Sequence, residues 1–328
     1  MNASVEKLIT SSLSELETYL NSLVFPPTIA PSLHYALQVP GKRFRPLLLL
    51  LTYQTISGSL DVHSVLPAAV AIELFHNFTL VHDDIMDNAP LRRGKPSLYA
   101  HWGTNTAILA GDALFALCLQ QLTSLESPML VPICSAFSKM AVGVCEGQML
   151  DLQIAKEGEI SLEQYLEMIR LKTALLFGTS LQIGSLLATP NPKLAFALYH
   201  YGEAMGMAFQ LQDDLLDLYS SQSGKQLGGD IIEKKHTFLW VKALEVALPE
   251  QKLALLAARA LENPEDRIRE TRNLFEQLQI KEKTQFEICT FLENAQKAVV
   301  NVEASFQPAL EVIHSYVTQL FEQQASLL

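Results

Sequence analysis

Glycine and proline are scarce in this chain, at 15 each among 328 residues, and glycine falls below the ~7% of an average protein. That shortage argues against turn-rich sandwiches, barrels and propellers. Positive charge is also short. The 24 Lys and Arg against 35 Asp and Glu leave a net charge of −11, so general binding to nucleic acid or to an anionic membrane is not expected. Cys118, Cys134, Cys145 and Cys289 lack any C-x-x-C spacing and lie in apolar stretches. They predict core thiols of a reducing compartment, not a disulfide frame or a zinc site. The opening MNASVEKLIT shows no basic-then-apolar leader. Near the front, the most apolar run, Leu47–Leu51, is far short of the ~20 residues that span a bilayer. These absences predict a cytoplasmic protein without stable membrane insertion.

Strand signals are missing too, with no sustained period-two alternation and no Asn-Gly or Asp-Gly turn. What is present is helical periodicity almost throughout, enough for ten or more helices from about Val5–Leu23 to about Gln307–Gln324. Ser161-Leu-Glu-Gln164 reads as a capping box opening a segment that reaches about Leu187. Pro190-Asn191-Pro192 separates two more helices. No Gly/Ser/Pro-rich linker divides the chain. The expectation is a single all-α domain over residues 1–328, with 49% apolar residues to fill its core.

One motif occurs twice. Asp83-Asp84-Ile-Met-Asp87 and Asp213-Asp214-Leu-Leu-Asp217 both read D-D-x-x-D, and each ends an apolar helix. At 3.6 residues per turn, Asp83 stacks with Asp87 and Asp213 with Asp217, with Asp84 and Asp214 alongside. Like charges at this spacing destabilise a helix, and the C-terminal end of the macrodipole disfavours anions. A compensating cation is implied. Hard oxygen donors without imidazole or thiolate suit Mg²⁺, which takes one or two carboxylates together with substrate phosphates. A solvated acidic patch would explain one such motif more readily than two.

The basic residues cluster correspondingly. Lys42, Arg43 and Arg45; Arg92, Arg93 and Lys95; Arg170 and Lys172; and Lys225, Lys234 and Lys235 fall in four short windows, three of them at Gly- or Pro-containing turns. Cations at the turns of an acidic protein suit a multiply charged anion. Together with the aspartates they imply a diphosphate held between Mg²⁺ and Arg or Lys.

ELFHNFTLVHDDIMDNAPLRRGKPS, GKRFRP, LKT, FQLQDDLLD and GKxxGGDxxxxKxTF together resemble the short-chain trans-isoprenyl diphosphate synthases of the polyprenyl synthetase family. The resemblance implies an isoprenoid-synthase helical bundle with a central active-site cavity, usually a homodimer. It implies head-to-tail condensation of isopentenyl diphosphate with an allylic diphosphate. Asp83, Asp84, Asp87 and Asp213 would ligate a cluster of three Mg²⁺ ions, with Asp214 and Asp217 completing the metal set through water or as helpers. Arg92, Lys172, Lys225 and Lys235 would hold the allylic diphosphate. Lys42, Arg45, His76 and Arg93 would hold isopentenyl diphosphate, and Thr173 and Gln210 would flank the allylic cation. Phe75, Phe78 and Thr79 would form the floor of the chain pocket, in a pattern that suits farnesyl or, by a small margin, geranylgeranyl diphosphate. Pro40 stands where relatives often have glycine, and Lys234 where many have a small residue.

Two other enzyme classes fit parts of the pattern. A class I terpene cyclase shares the first aspartate motif but usually has an Asn/Asp-rich second motif with Ser and Glu. A carboxylate-bridged di-iron bundle would use Glu73-x-x-His76 and Glu311-x-x-His314, which leaves the aspartate pairs unexplained. A non-catalytic subunit of the same family would have lost metal-binding aspartates, and none is missing here.

Overall fold

The computed structural model describes residues 3–38, 41–156, 158–220 and 227–328. Sixteen α-helices account for most of them, as the all-α expectation requires. They are α1 (Ala3–Ser22), α2 (Ala30–Leu37), α3 (Phe44–Ser57), α4 (Leu66–Met86), α5 (Leu98–Trp102), α6 (Thr104–Thr123), α7 (Leu130–Ile154) and α8 (Leu162–Ile169). There follow α9 (Leu175–Ala188), α10 (Pro192–Tyr219), α11 (Gly229–Ile232), α12 (Phe238–Val246), α13 (Pro249–Ala260), α14 (Pro264–Gln277), α15 (Ile280–Ala298) and α16 (Gln307–Ala325). The backbone divides into two compact units. The first holds Met1–Phe137, Thr179–Tyr199 and Val302–Tyr316, and the second Ser138–Gly178, His200–Asn301 and Val317–Leu328.

The first unit is built on α4, which packs along α6 and α3. A proline in its first turn fits the helix start, where the missing N–H costs nothing. Ala68 through Phe75 are buried without a break, so α4 is apolar on all sides and occupies the core. It ends just where the first aspartate motif ends. Asn88 takes φ 51°, its N–H reaches Ile85 O at 3.3 Å, and Ala89 N–H reaches Asp84 O at 3.0 Å. This is a Schellman stop with asparagine in the left-handed position.

A short hairpin follows, which the sequence does not announce. Leu91–Arg92 pairs with Lys95–Pro96, and Arg93 and Gly94 carry φ of 51° and 77°. Both central residues of a type I′ turn need positive φ, and Arg-Gly supplies this with glycine in only one of the two places.

In the second unit the Ser161 capping box is present, but the helix it opens is not uniform. Between α8 and α9, Arg170–Ala174 form a turn of π-helix. Such bulges reset the side-chain register inside a helix and cluster at functional sites.

Two expectations need correction. Only Cys118 is buried; Cys134 is partly covered, and Cys145 and Cys289 are exposed, because each lies on the outer side of its helix. Counting unbroken apolar runs also understates the long helices. Thr104–Thr123, Leu130–Ile154 and Leu162–Ala188 are long and apolar enough to span a membrane by length and composition. The third is mostly buried within the protein, whereas the first two are 39% buried.

Candidate active site

In the first unit, the end of α4 separates the three aspartates by environment. Asp84 is buried at 3% exposure and accepts a hydrogen bond from Arg92 Nε at 2.9 Å, with Arg92 Nη2 on the same oxygen. Asp83 is partly exposed and Asp87 exposed, and their i, i+4 spacing puts them on one face. The carboxylates of Asp83 and Asp87 are therefore the ones placed for an external cation, and Asp84 anchors the hairpin that carries Arg92.

The basic loop before α3 divides in the same way. Arg43, with φ 48°, is buried and structural. It donates to Glu17 Oε1 at 2.9 Å, Glu73 Oε1 at 2.5 Å and Leu37 O at 2.8 Å, and Asn77 Nδ2 caps the same Glu73 oxygen at 3.0 Å. Glu73 is consequently spent on an arginine and an amide, which removes it as an iron ligand. Arg45 Nη1 lies 3.3 Å from His76 Nε2. Guanidinium has only donors, so Nε2 is the acceptor and the imidazole is neutral. Burial and then the charges of Arg45, Arg93, Arg92 and Arg43 hold its pKa well below the usual histidine value. A side chain on Gly41 would meet Arg93 Nη1 at 2.6 Å, so the loop backbone lies against that guanidinium. Arg45 and Arg93 thus both lie near His76, three of the four residues that the family resemblance groups together. Lys42 is exposed, its amine 5.6 Å from the Phe44 ring.

Phe75 and Phe78 lie 5.4 Å apart between ring centres, and both approach Phe115 of α6, at 6.2 and 5.5 Å. Phe137 closes on Phe75 at 5.4 Å. Thr79 donates to His76 O at 2.8 Å, a bond within its own helix. Phe115 and Phe137 are additions to the expected pair. Nothing in their local sequence distinguishes them from other core aromatics.

In the second unit, the π-turn lets two successive residues reach different helices. Lys172 Nζ donates to Asp151 Oδ2 of α7 at 2.6 Å, and Thr173 Oγ1 donates to Gln210 Oε1 of α10 at 2.9 Å. The turn comes close to α7 because residue 147 is glycine. A Cβ there would lie 2.4 Å from Lys172 N. Asp151 was not anticipated, although Gly147-x-x-x-Asp151 is a one-turn spacing that places both on the same face of α7.

The second aspartate motif is also divided. Asp213 is partly exposed. Asp214, expected in the metal set, is buried with both oxygens occupied. Oδ2 accepts from Tyr165 Oη at 2.6 Å and Phe238 N at 2.8 Å, and Oδ1 accepts from Gln210 Nε2 at 3.0 Å. Burial and the charge of Asp230 push its pKa up to about 7 against the pull of those three donors. Both of its oxygens are taken by protein donors, which suits the helper role more than direct ligation. Asp217 is likewise buried, at 5% exposure. It accepts from Asp230 N at 3.0 Å and so fixes the Gly228-Gly229-Asp230 turn at the start of α11. Lys235 Nζ lies 3.7 Å from Asp230 Oδ1 and 2.8 Å from Glu233 Oε2. The neighbouring Lys234 has φ 57°, and its carbonyl is taken by Arg259. Lys225 lies outside the described residues. Arg170 is held by Glu167 and Glu203.

Among the described residues, no three His, Cys, Asp or Glu side chains converge closely enough to enclose a metal ion by themselves. Asp83 and Asp87 in the first unit, and Asp213 in the second, are each hard, partly or fully exposed oxygen donors of the kind that Mg²⁺ takes together with water and phosphate oxygens.

Comparison with known proteins gives the family of the chain. The polyprenyl synthetase family profile matches residues 26–278. A geranylgeranyl diphosphate synthase of Methanosarcina mazei is 40% identical over 224 residues, 67% of this chain and 68% of that one. Among solved structures, a geranylgeranyl pyrophosphate synthase superposes with a TM-score of 0.87 at 33% identity, covering 96% of this chain and 98% of that one. The Corynebacterium glutamicum geranylgeranyl pyrophosphate synthase, solved with isoprenyl diphosphate and magnesium, gives a TM-score of 0.80 at 28% identity with 97% of each chain covered. Profile, sequence and fold agree, and this chain belongs to the polyprenyl synthetase family.

Proposed function

We propose that this prenyltransferase joins isopentenyl diphosphate head to tail to an allylic diphosphate, repeating the step to give an all-trans C20 product, geranylgeranyl diphosphate. One observation carries the reading: at the end of α4, Asp83 and Asp87 stay accessible while Arg92 locks Asp84 and Arg45 and Arg93 gather at His76. This arrangement sets a hard-cation site beside an anion site on one helix. The relatives' names give the C20 lean, and the adjacent rings of Phe75 and Phe78 suit a pocket of limited depth.

In this reading Asp83 and Asp87, and Asp213, would hold Mg²⁺ ions, and Asp84, Asp214 and Asp217 position the elements that carry them. Bound Mg²⁺ neutralises charge that develops on the leaving diphosphate. Arg92, Lys172, Lys225 and Lys235 take the remaining phosphate oxygens, a fixed electrostatic contribution in a site that needs no reorganisation during reaction. Lys42, Arg45 and Arg93 grip isopentenyl diphosphate, and neutral His76 orients Arg45. The Thr173 and Gln210 oxygens turn negative dipole toward the allylic cation without bonding to it. Apolar side chains keep out the water that would capture it. The new bond joins C1 of the allyl group to C4 of the isopentenyl unit, and the C2 proton passes to the released diphosphate. No protein base is assigned.

We further propose a cytoplasmic homodimer. Ile108, Leu109 and Leu119 of α6 and Val131, Val142 and Met149 of α7 are left exposed, more apolar surface than two helices of a monomer usually show. The test is incubation with labelled isopentenyl diphosphate and dimethylallyl, geranyl or farnesyl diphosphate, followed by dephosphorylation and chromatography. Geranylgeraniol from all three primers supports the reading, and absence of any elongated alcohol overturns it.

A further inference from the structure

The amide of Gln210 has one orientation that its surroundings permit. In the ionised form, Asp214 receives Tyr165 Oη at 2.6 Å and Phe238 N at 2.8 Å on Oδ2, so Oδ1 is left as an acceptor and Gln210 presents Nε2 to it, at 3.0 Å. Its carbonyl is thereby turned to the opposite side, where Oε1 accepts from Thr173 Oγ1 at 2.9 Å. An amide oxygen has two lone pairs and Thr173 uses one. A flipped amide would present N–H groups on the Thr173 side, reversing the sign of the dipole there.

We propose that Tyr165 and Asp214 are positioning residues that fix Gln210 with its carbonyl oxygen toward the allylic cation. Tyr165 at 2% and Asp214 at 4% exposure are buried and act through Gln210. The inference rests on the condensation reading above and adds to it a determinant outside the residues that meet substrate. Phe238 N–H contributes because it opens α12, where the helix dipole favours an anion. Tyr165 is brought there by the helix that the Ser161 capping box starts.

Asp214→Asn is the decisive variant because it keeps the shape. Tyr165 Oη and Phe238 N are both placed to donate, so the new amide keeps its oxygen on them and offers its NH₂ to Gln210. Gln210 must then flip. We expect kcat for condensation to fall at least about tenfold, toward the ~10²–10³-fold seen when one oriented donor is lost from an active site. KM for each substrate should stay within about twofold. A larger share of the allylic substrate should end as free alcohol, because a less stabilised cation is captured by water. Tyr165→Phe should move kcat and partition in the same direction by a smaller factor. In a Gln210→Leu background, Asp214→Asn should add no further loss. A loss that persists in that background, or KM and thermal midpoint shifting together with unchanged partition, overturns the proposal in favour of a purely structural role. Wild-type kcat and partition in Asp214→Asn, beside an active parent, overturn the proposal alone. A parent that elongates none of the three primers overturns the condensation reading and this inference with it.

Discussion

Adding one methyl group at residue 147 tests whether the π-turn places Lys172 and Thr173. A Cβ on Gly147 would lie 2.4 Å from Lys172 N, 2.9 Å from Leu171 C and 2.9 Å from Leu171 Cβ, against an ordinary contact of 3.4 Å or more. The first distance is short by 3.4 − 2.4, or 1.0 Å, and the atom in the way is backbone, which cannot rotate aside. In Gly147→Ala the turn must therefore retreat from α7 by about 1 Å. Overpacking of this kind costs ~1–3 kcal/mol of stability. The catalytic cost should be larger in proportion, since ~1 Å of misplacement can lower turnover by about 10²-fold. Lys172 would be drawn from Asp151 and Thr173 from Gln210, so kcat should fall more than either KM rises. Diphosphate release at saturating substrates measures the rate, and circular dichroism at the assay temperature confirms that the chain is folded. A folded Gly147→Ala protein with at least half the parent kcat would refute the argument that this contact sets the register of Lys172 and Thr173.

Three further outcomes follow from other parts of the structure. Phe75→Ala with Phe78→Ala removes two of the four clustered rings, so the main alcohol should lengthen by at least one C5 unit; an unchanged product would remove these residues from the pocket floor. Arg43→Ala leaves Glu73 as a buried charge with one amide partner and should cost ~3–5 kcal/mol, read as a lower midpoint in urea. A midpoint within error of the parent would contradict the structural role given to Arg43. The pH dependence of stability carries the sign of His76: its folded pKa is depressed by burial and by Arg45, Arg93, Arg92 and Arg43. Below the ~6.5 of an unfolded histidine the unfolded chain binds the extra proton, so stability is full above that value and declines as pH falls toward the folded pKa, by at most ~1.4 kcal/mol per pH unit. His76→Gln should flatten this slope in denaturant titrations between pH 7 and 5, and an identical slope would show that another group causes it.

Helices and motif positions were legible in the sequence because each has a local cause. The capping box at Ser161, the prolines at 190 and 192 and the apolar run into Asp83 act within a turn or two of the chain. The division of labour among the aspartates was not legible. Asp83 and Asp84 share type and neighbours, and only Arg92, on the first strand of the hairpin, makes one accessible and the other an anchor. Asp214 is distinguished from Asp213 by Tyr165 and Phe238, 49 and 24 residues away in sequence. The π-turn escaped for a related reason. Its cause is the bare backbone at Gly147 on another helix, whereas the periodicity of RLKTA itself reads as ordinary helix.

The proposed condensation needs the carboxylates of both aspartate motifs for the same chemical step. Steady-state turnover of Asp83→Ala, Asp213→Ala and the double variant, each with its helical circular dichroism intact, tests it most directly. Groups that work as a unit are strongly non-additive. Each single variant should therefore lose nearly all turnover, and the double variant should be no worse than either. Near-normal turnover in one single variant, or losses that multiply in the double variant, would contradict the claim.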